Sequence, residues 1–301
     1  MLANLYFKKC IQPKDEKRLA AQPAPGGVKE LVDIRYVDDG HRLHLLDVYR
    51  PEGTEGKLPT IVDIHGGAWV YADKELNKKY CMHLAKEGFA VVNLSFRLVP
   101  EVNFAGSVKD IFAALEYVKT HADELGIDLD NMFITGDSAG GHTAAMVVAS
   151  TESEVLQKLF GGKTPISFSA AGFVCAAFNP GEFVKIPLSG FALFNGFYGK
   201  HFRRKQNWEI YKNYDFANVV PKDMCPSYFI TAFADFLKKQ TFEMKKRFDE
   251  LGIENEMTNF DKPLADGHKL EHVYNVMEPY WEASQIANKG MYDFFKRHVK
   301  R

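Results

Sequence analysis

Ser138 sits at the centre of Gly136-Asp137-Ser138-Ala139-Gly140-Gly141, after the apolar run Met132-Phe133-Ile134-Thr135 and before the alanine-rich stretch His142 to Ser150. A serine between small residues at a strand-to-helix turn is held on a strained backbone with its hydroxyl projected outward. The small neighbours are a steric need, because strand and helix approach too closely there for larger side chains. A serine hydroxyl is a poor nucleophile at neutral pH. It needs a base for its proton, a carboxylate to orient that base, and donors for the oxyanion that forms on attack.

The sequence offers a candidate for each helper. His65-Gly66-Gly67-Ala68-Trp69 follows the apolar stretch Leu58 to Ile64. Consecutive glycines let backbone N–H groups turn toward a ligand, so Gly66 and Gly67 are expected to donate to the oxyanion, with Ala139 N–H as a third donor. Asp235 closes Tyr228 to Ala234 at the carboxyl end of an expected strand, the edge where α/β sheets hold ligand chemistry. For the base, His268 and His272 share one loop, and His298 lies in the last expected helix. His272 is preferred, because Val273 and Tyr274 after it can dock the loop; His268 stays the alternative.

These residues need a sheet whose strand ends meet at one edge. Leu31–Val37 and His44–Tyr49 read as a hairpin around Asp38-Asp39-Gly40, and 58–64, 90–94, 132–135, 169–177, 226–232 and 254–260 as further strands. Helices are expected over 75–87, from Ser107 as N-cap with Asp110 as its reciprocal partner, and over 241–251 and 284–299. Strands alternating with helices predict an α/β fold: one mostly parallel central sheet covered on both faces. The organisation expected is a single domain over 1–301 with a loop-like N-terminal arm at 1–27.

Residues 181–220 break the alternation. They are dense in aromatics and too long for a simple connection. They are expected to form an inserted cap over the site, the plainer alternative being a helical crossover with its own core face. Trp69, Phe194, Phe197 and Tyr198 would then line a substrate pocket suited to aryl or short alkyl groups; equally, these aromatics could form the core of the cap. The run Lys200 to Lys205 could meet a substrate carboxylate or be a solvated face. Asp137 is expected to accept nearby backbone N–H groups, and Arg97 and Asp110 to pair.

Composition narrows the class. Of 301 residues, 46% are hydrophobic and 26% charged, as in ordinary globular chains. The net charge of −1 gives no global field for nucleic acid or anionic membranes. The four scattered cysteines show no metal-ligand spacing, and neither a metal nor a disulfide framework is expected. Met1 to Arg18 holds no signal-like apolar stretch and no run is long enough to span a bilayer, so the cytoplasm is the expected compartment.

The chain order Ser138, Asp235, His272, together with His65 to Trp69, Ser95-Phe96-Arg97-Leu98-Val99-Pro100-Glu101 and Gly136 to Gly141, resembles the α/β-hydrolase superfamily. More narrowly it resembles the hormone-sensitive-lipase-like carboxylesterases, over roughly residues 30 to 300. Members often carry a third glycine where this chain has Ala68, and that variant resembles a related group of feruloyl-type and acetyl esterases and arylformamidases. The resemblance implies hydrolysis of small or medium acyl esters without a cofactor, the partner being a small-molecule ester. The alternatives are an amidase of arylformamidase type and a hydrolase-fold binding protein that has lost catalysis.

Overall fold

In the computed structural model, which describes residues 5–185, 195–199 and 211–300, eight strands form one sheet in the order β1-β2-β4-β3-β5-β6-β7-β8. They are β1 (Val28–Arg35), β2 (Leu45–Pro51), β3 (Leu58–Ile64), β4 (Ala90–Leu94), β5 (Ile127–Asp137), β6 (Ala170–Val174), β7 (Ser227–Ala232) and β8 (Asn255–Phe260). β2 runs antiparallel to both neighbours; all other pairs are parallel. The expected hairpin and the alternating α/β architecture are thus present. β4 and β6 are buried at every residue, which is why they read as continuous apolar runs rather than as alternation.

The helices are α1 (Gln12–Ala21), α2 (Lys78–Lys86), α3 (Phe104–Thr120), α4 (Ala122–Leu125), α5 (Ala139–Ala149), α6 (Glu154–Phe160), α7 (Lys238–Leu251), α8 (Tyr274–Met277) and α9 (Glu282–Arg297). Two apolar clusters result. One packs α3 and α5 with Ile64, Val92, Ile134 and Phe229. The other sets α2 and α9 against Ile61, Val91, Phe133 and Ile230. Neighbouring residues of a strand, such as Ile61 and Val62 on β3, go to opposite clusters, as the two-residue strand period requires.

Three expectations are corrected. The N-terminal arm is not a loop: a π-helical turn, Phe7–Ile11, leads into α1, which carries Pro13 in its first turn. Its polarity hid it, because no residue of α1 is fully buried. Ser107 does not cap α3. Asn103 does, its Oδ1 accepting the Gly106 N–H at 3.0 Å, while the Ser107 hydroxyl donates to the Arg97 carbonyl at 2.7 Å. Asp110, expected as the capping partner, instead holds Arg97 through Nε at 2.8 Å and a second guanidinium nitrogen at 2.6 Å. A charge-assisted fork outcompetes a single cap bond.

Of the segment 181–220, the described parts are short helical turns at 180–185, 195–198 and 212–218. Phe194 and the run 200–205 lie outside the described residues. Among the described residues no helix is long and apolar enough to cross a membrane.

Candidate active site

The site forms where β3, β5 and β7 deliver their carboxyl ends to one edge of the sheet. β3 lies between β4 and β5, so the chain's crossovers diverge on its two sides and leave a crevice there. His65 to Trp69 leaves β3, Ser138 follows β5, and Asp235 stands three residues beyond β7.

Ser138 adopts φ 53° and ψ −119°, outside the regions open to L-residues without strain. Its backbone is clamped: its N–H donates to Val174 O at 2.8 Å, and its carbonyl accepts Ala177 N–H at 2.9 Å and His142 N–H at 3.2 Å. The flanking glycines are sterically required. A Cβ on Gly136 would stand 2.5 Å from the Gly140 carbonyl oxygen, one on Gly141 2.6 Å from Ala176 Cβ, and one on Gly140 would run into the Ile64 carbonyl.

His272 Nε2 lies 2.8 Å from Ser138 Oγ, and its Nδ1 lies 2.7 Å from Asp235 Oδ1. An ionised carboxylate only accepts, so Nδ1 carries the proton and Nε2 is left to accept from the serine hydroxyl. Three residues from distant parts of the chain therefore meet in one hydrogen-bonded line. The Asp235 side chain is fully buried and that of His272 is 18% exposed. Burial pushes the Asp235 carboxyl up, but the His272 hydrogen bond and charge, with donation from Leu237 N–H at 3.0 Å and the Thr231 hydroxyl at 2.8 Å, outweigh it. The net shift is below the ordinary value. The His272 loop is pinned by a parallel bridge from Glu271 to Ala234 and by burial of Leu270 and Tyr274. Val273 is left-handed, and its N–H donates to Cys175 Sγ at 3.4 Å. The alternative base, His268, stacks on Trp281 at 4.0 Å; His298 sits 3.3 Å from Glu254.

The loop after β3 departs from expectation at Gly66. Its N–H donates to Asp137 Oδ1 at 2.9 Å, so it is not available to an oxyanion. Asp137 thus does accept a backbone N–H, and it also accepts from Asn77 Nδ2 at 2.9 Å. Asn77 reaches Asp63 Oδ2 at 2.9 Å as well, tying two buried acids together below the loop. Burial and the neighbouring Asp137 charge push the Asp63 carboxyl up to about 8, and burial raises Asp137. Gly67 has φ +106°, and its carbonyl accepts Val70 and Tyr71 N–H, both at 3.0 Å; Ala68 follows at φ 51°. The N–H groups of Gly67 and Ala68 have no acceptor among the described residues. Ala139 opens α5, where the first N–H groups lack intrahelical partners. Gly67, Ala68 and Ala139 are the donors this geometry leaves free.

The aromatic side chains expected to line a pocket are packed away. Phe197 is fully buried, stacked on Phe104 at 4.7 Å, and Trp69 meets it edge-on at 4.9 Å. Tyr198 is buried beside Phe197 and Tyr214. They form core between the segment around 195–198 and helix α3, so the pocket expectation is corrected for Trp69, Phe197 and Tyr198. Among the described residues, a cleft of about 340 Å³ touches His272, Tyr274 and Trp281, with Arg18 of α1, Lys269, Glu271 and Glu278 around it.

Two neighbours escaped the sequence reading. The Cys175 sulfur, an Asp235 oxygen and a His272 nitrogen lie within 4.8 Å of one another. Burial and the Asp235 charge raise the Cys175 thiol well above its ordinary range, which keeps it a thiol and a poor metal ligand. Phe236, next to Asp235, stands over the His272 ring at 4.3 Å; an apolar residue in a turn was the one signal for it.

The fold recurs in known proteins. The BD-FAE family model matches residues 46–232. Esterase B of Lactobacillus rhamnosis, solved with an inhibitor bound, is 30% identical over 98% of this chain and 95% of its own, at a TM-score of 0.88. A Schizosaccharomyces pombe AB hydrolase superfamily protein is 26% identical over 80% of this chain and 71% of its own length. A probable carboxylic ester hydrolase of Mycobacterium tuberculosis, LipM, is 34% identical over 42% of this chain and 30% of its own length. The chain therefore belongs to the BD-FAE family, and is a carboxylesterase of the α/β-hydrolase fold.

Proposed function

We propose that the protein hydrolyses small or medium acyl esters through an acyl-enzyme on Ser138, with His272 as general base and acid and Asp235 as its orienter. The observation that carries this reading is the line Asp235 Oδ1, His272, Ser138 Oγ, with steps of 2.7 and 2.8 Å. Ser138 Oγ attacks the ester carbonyl while Nε2 takes its proton. The Asp235 carboxylate stabilises the imidazolium that forms. The carbonyl oxygen, now negative, is held by N–H groups of Gly67, Ala68 and Ala139, donors already fixed by the two strained turns. The imidazolium then protonates the leaving alcohol, and water repeats the sequence on the acyl-enzyme.

Replacement of Ser138 by alanine tests this. The expected result is a loss of at least about 10⁴-fold in kcat on p-nitrophenyl acetate, with the unfolding midpoint retained. Asp235 stays ionised on the acid side because its pKa is depressed, so the carboxylate that orients His272 persists there. Turnover that survives in the alanine variant would remove the reading.

A further inference from the structure

The alcohol half of the ester has an identifiable neighbour. In acylation the C–O bond of the ester breaks, the acyl group stays on Ser138 Oγ, and the His272 Nε2 proton passes to the departing alkoxide oxygen. That oxygen must come within hydrogen-bond reach of Nε2, about 2.6–3.2 Å. Whatever flanks the imidazole therefore flanks the alcohol's substituent.

Among the described residues, Phe236 flanks the imidazole with its ring. Its ring centroid lies 4.3 Å from the His272 ring, tilted by 42°. The turn after β7 dictates this direction. Leu237 N–H donates to Asp235 Oδ1 and Lys238 N–H to the Asp235 carbonyl, which buries Leu237 and turns Phe236 outward. At 71% exposure it is the most exposed large apolar side chain among the described residues. A single exposed aromatic is ordinary on a protein surface. One laid against the imidazole that must protonate the leaving group is in a position to be covered by that group. Covering it removes apolar area from water on both partners, and ring contact adds directionality.

We propose that Phe236 is a specificity-determining residue that receives the leaving alcohol and makes the enzyme favour esters of apolar, planar alcohols over those of small ones. This rests on the reading of Ser138 and His272 given above.

Benzyl acetate and methyl acetate make the test. They give the same acyl-enzyme, and their alcohols leave with comparable ease, so the ratio of kcat/KM values reports contact with the alcohol. The wild-type protein should prefer the benzyl ester by about 10-fold or more, and Phe236→Ala should lower that ratio by about 10-fold. Phe236→Leu should fall between, and Phe236→Trp should keep the preference. The acyl-side ratio, methyl hexanoate to methyl acetate, should not move. An unchanged benzyl-to-methyl ratio in Phe236→Ala would overturn the proposal. So would an equal fall for both esters with a shifted acid limb of the pH profile, since that would make Phe236 a packing partner of the imidazole alone. A wild-type protein that hydrolyses neither ester would instead remove the reading of the site, and this proposal with it.

Discussion

At the serine elbow, Gly136, Gly140 and Gly141 have no room for a Cβ, and the strained Ser138 backbone is clamped by three main-chain hydrogen bonds. The N-terminal helix α1 reaches the cleft beside His272 through Arg18 and has no fully buried residue. It is held by polar contacts: the Tyr71 hydroxyl to Asp15 at 2.9 Å, Gln22 Nε2 to the Met277 carbonyl at 2.7 Å, and Lys79 Nζ to the carbonyls of Leu19 and Gln22. Phe7 adds a stacked contact on Tyr71 at 5.9 Å. Through these contacts the arm joins the loop after β3 to the end of α8. The difference teaches that one site can have a wall dictated by close packing and another dictated by exchangeable hydrogen bonds. The first is intolerant of change; the second can open without unfolding the protein.

The largest effect should come from adding atoms to the elbow. Gly140→Ala drives a Cβ into the Ile64 and His65 backbone. Backbone atoms of a central strand cannot yield cheaply, so the expected cost is about 3 kcal/mol or more, with activity lost as well. An unchanged urea midpoint would show that the elbow is not sterically closed.

A smaller effect should come from the acids beneath the loop after β3. The Asp63 carboxyl is raised to about 8 in the folded protein, above its unfolded value. The folded state thus binds a proton that the unfolded chain releases, so this contribution is complete below about pH 4 and is lost as the pH rises toward 8. Stability should fall across that window by about 1 kcal/mol per pH unit from this group. Asp63→Asn should flatten the slope, measured as unfolding midpoints from pH 5 to 8. An identical slope in the variant would show that Asp63 does not carry it.

The smallest effect belongs to the arm. Tyr71→Phe keeps the ring stack and removes the hydrogen bond to Asp15, whose carboxylate keeps Arg18 at 3.9 Å. The expected cost is about 1 kcal/mol or less, read as faster amide exchange across 12–21 with kcat altered less than about 3-fold. A global loss of stability as large as that of Gly140→Ala would erase the contrast between the two walls.

The same contrast explains what the amino-acid sequence disclosed. The elbow, the Gly66-Gly67 turn, Asp235 and His272 were legible because residue type is forced there by sterics or proton chemistry. β3, β4 and β6 were legible as apolar runs bounded by turns. The arm was not, because Asp15, Arg18 and Gln22 are ordinary surface residues until their partners 56 to 260 positions away are known. The Gly66 N–H was assigned to the oxyanion because nothing local reveals that Asp137 claims it. For Phe197 and Tyr198, aromaticity alone leaves pocket lining and buried core equally open, and both are buried.

The central claim is that Ser138 carries the acyl group. Intact-protein mass spectrometry on enzyme quenched in acid during turnover of p-nitrophenyl acetate tests it most directly. The account predicts one added acetyl group per chain, located by peptide mapping on Ser138 and absent from the Ser138→Ala protein. An acetyl group on another residue that tracks turnover, or turnover in the alanine variant, would contradict it.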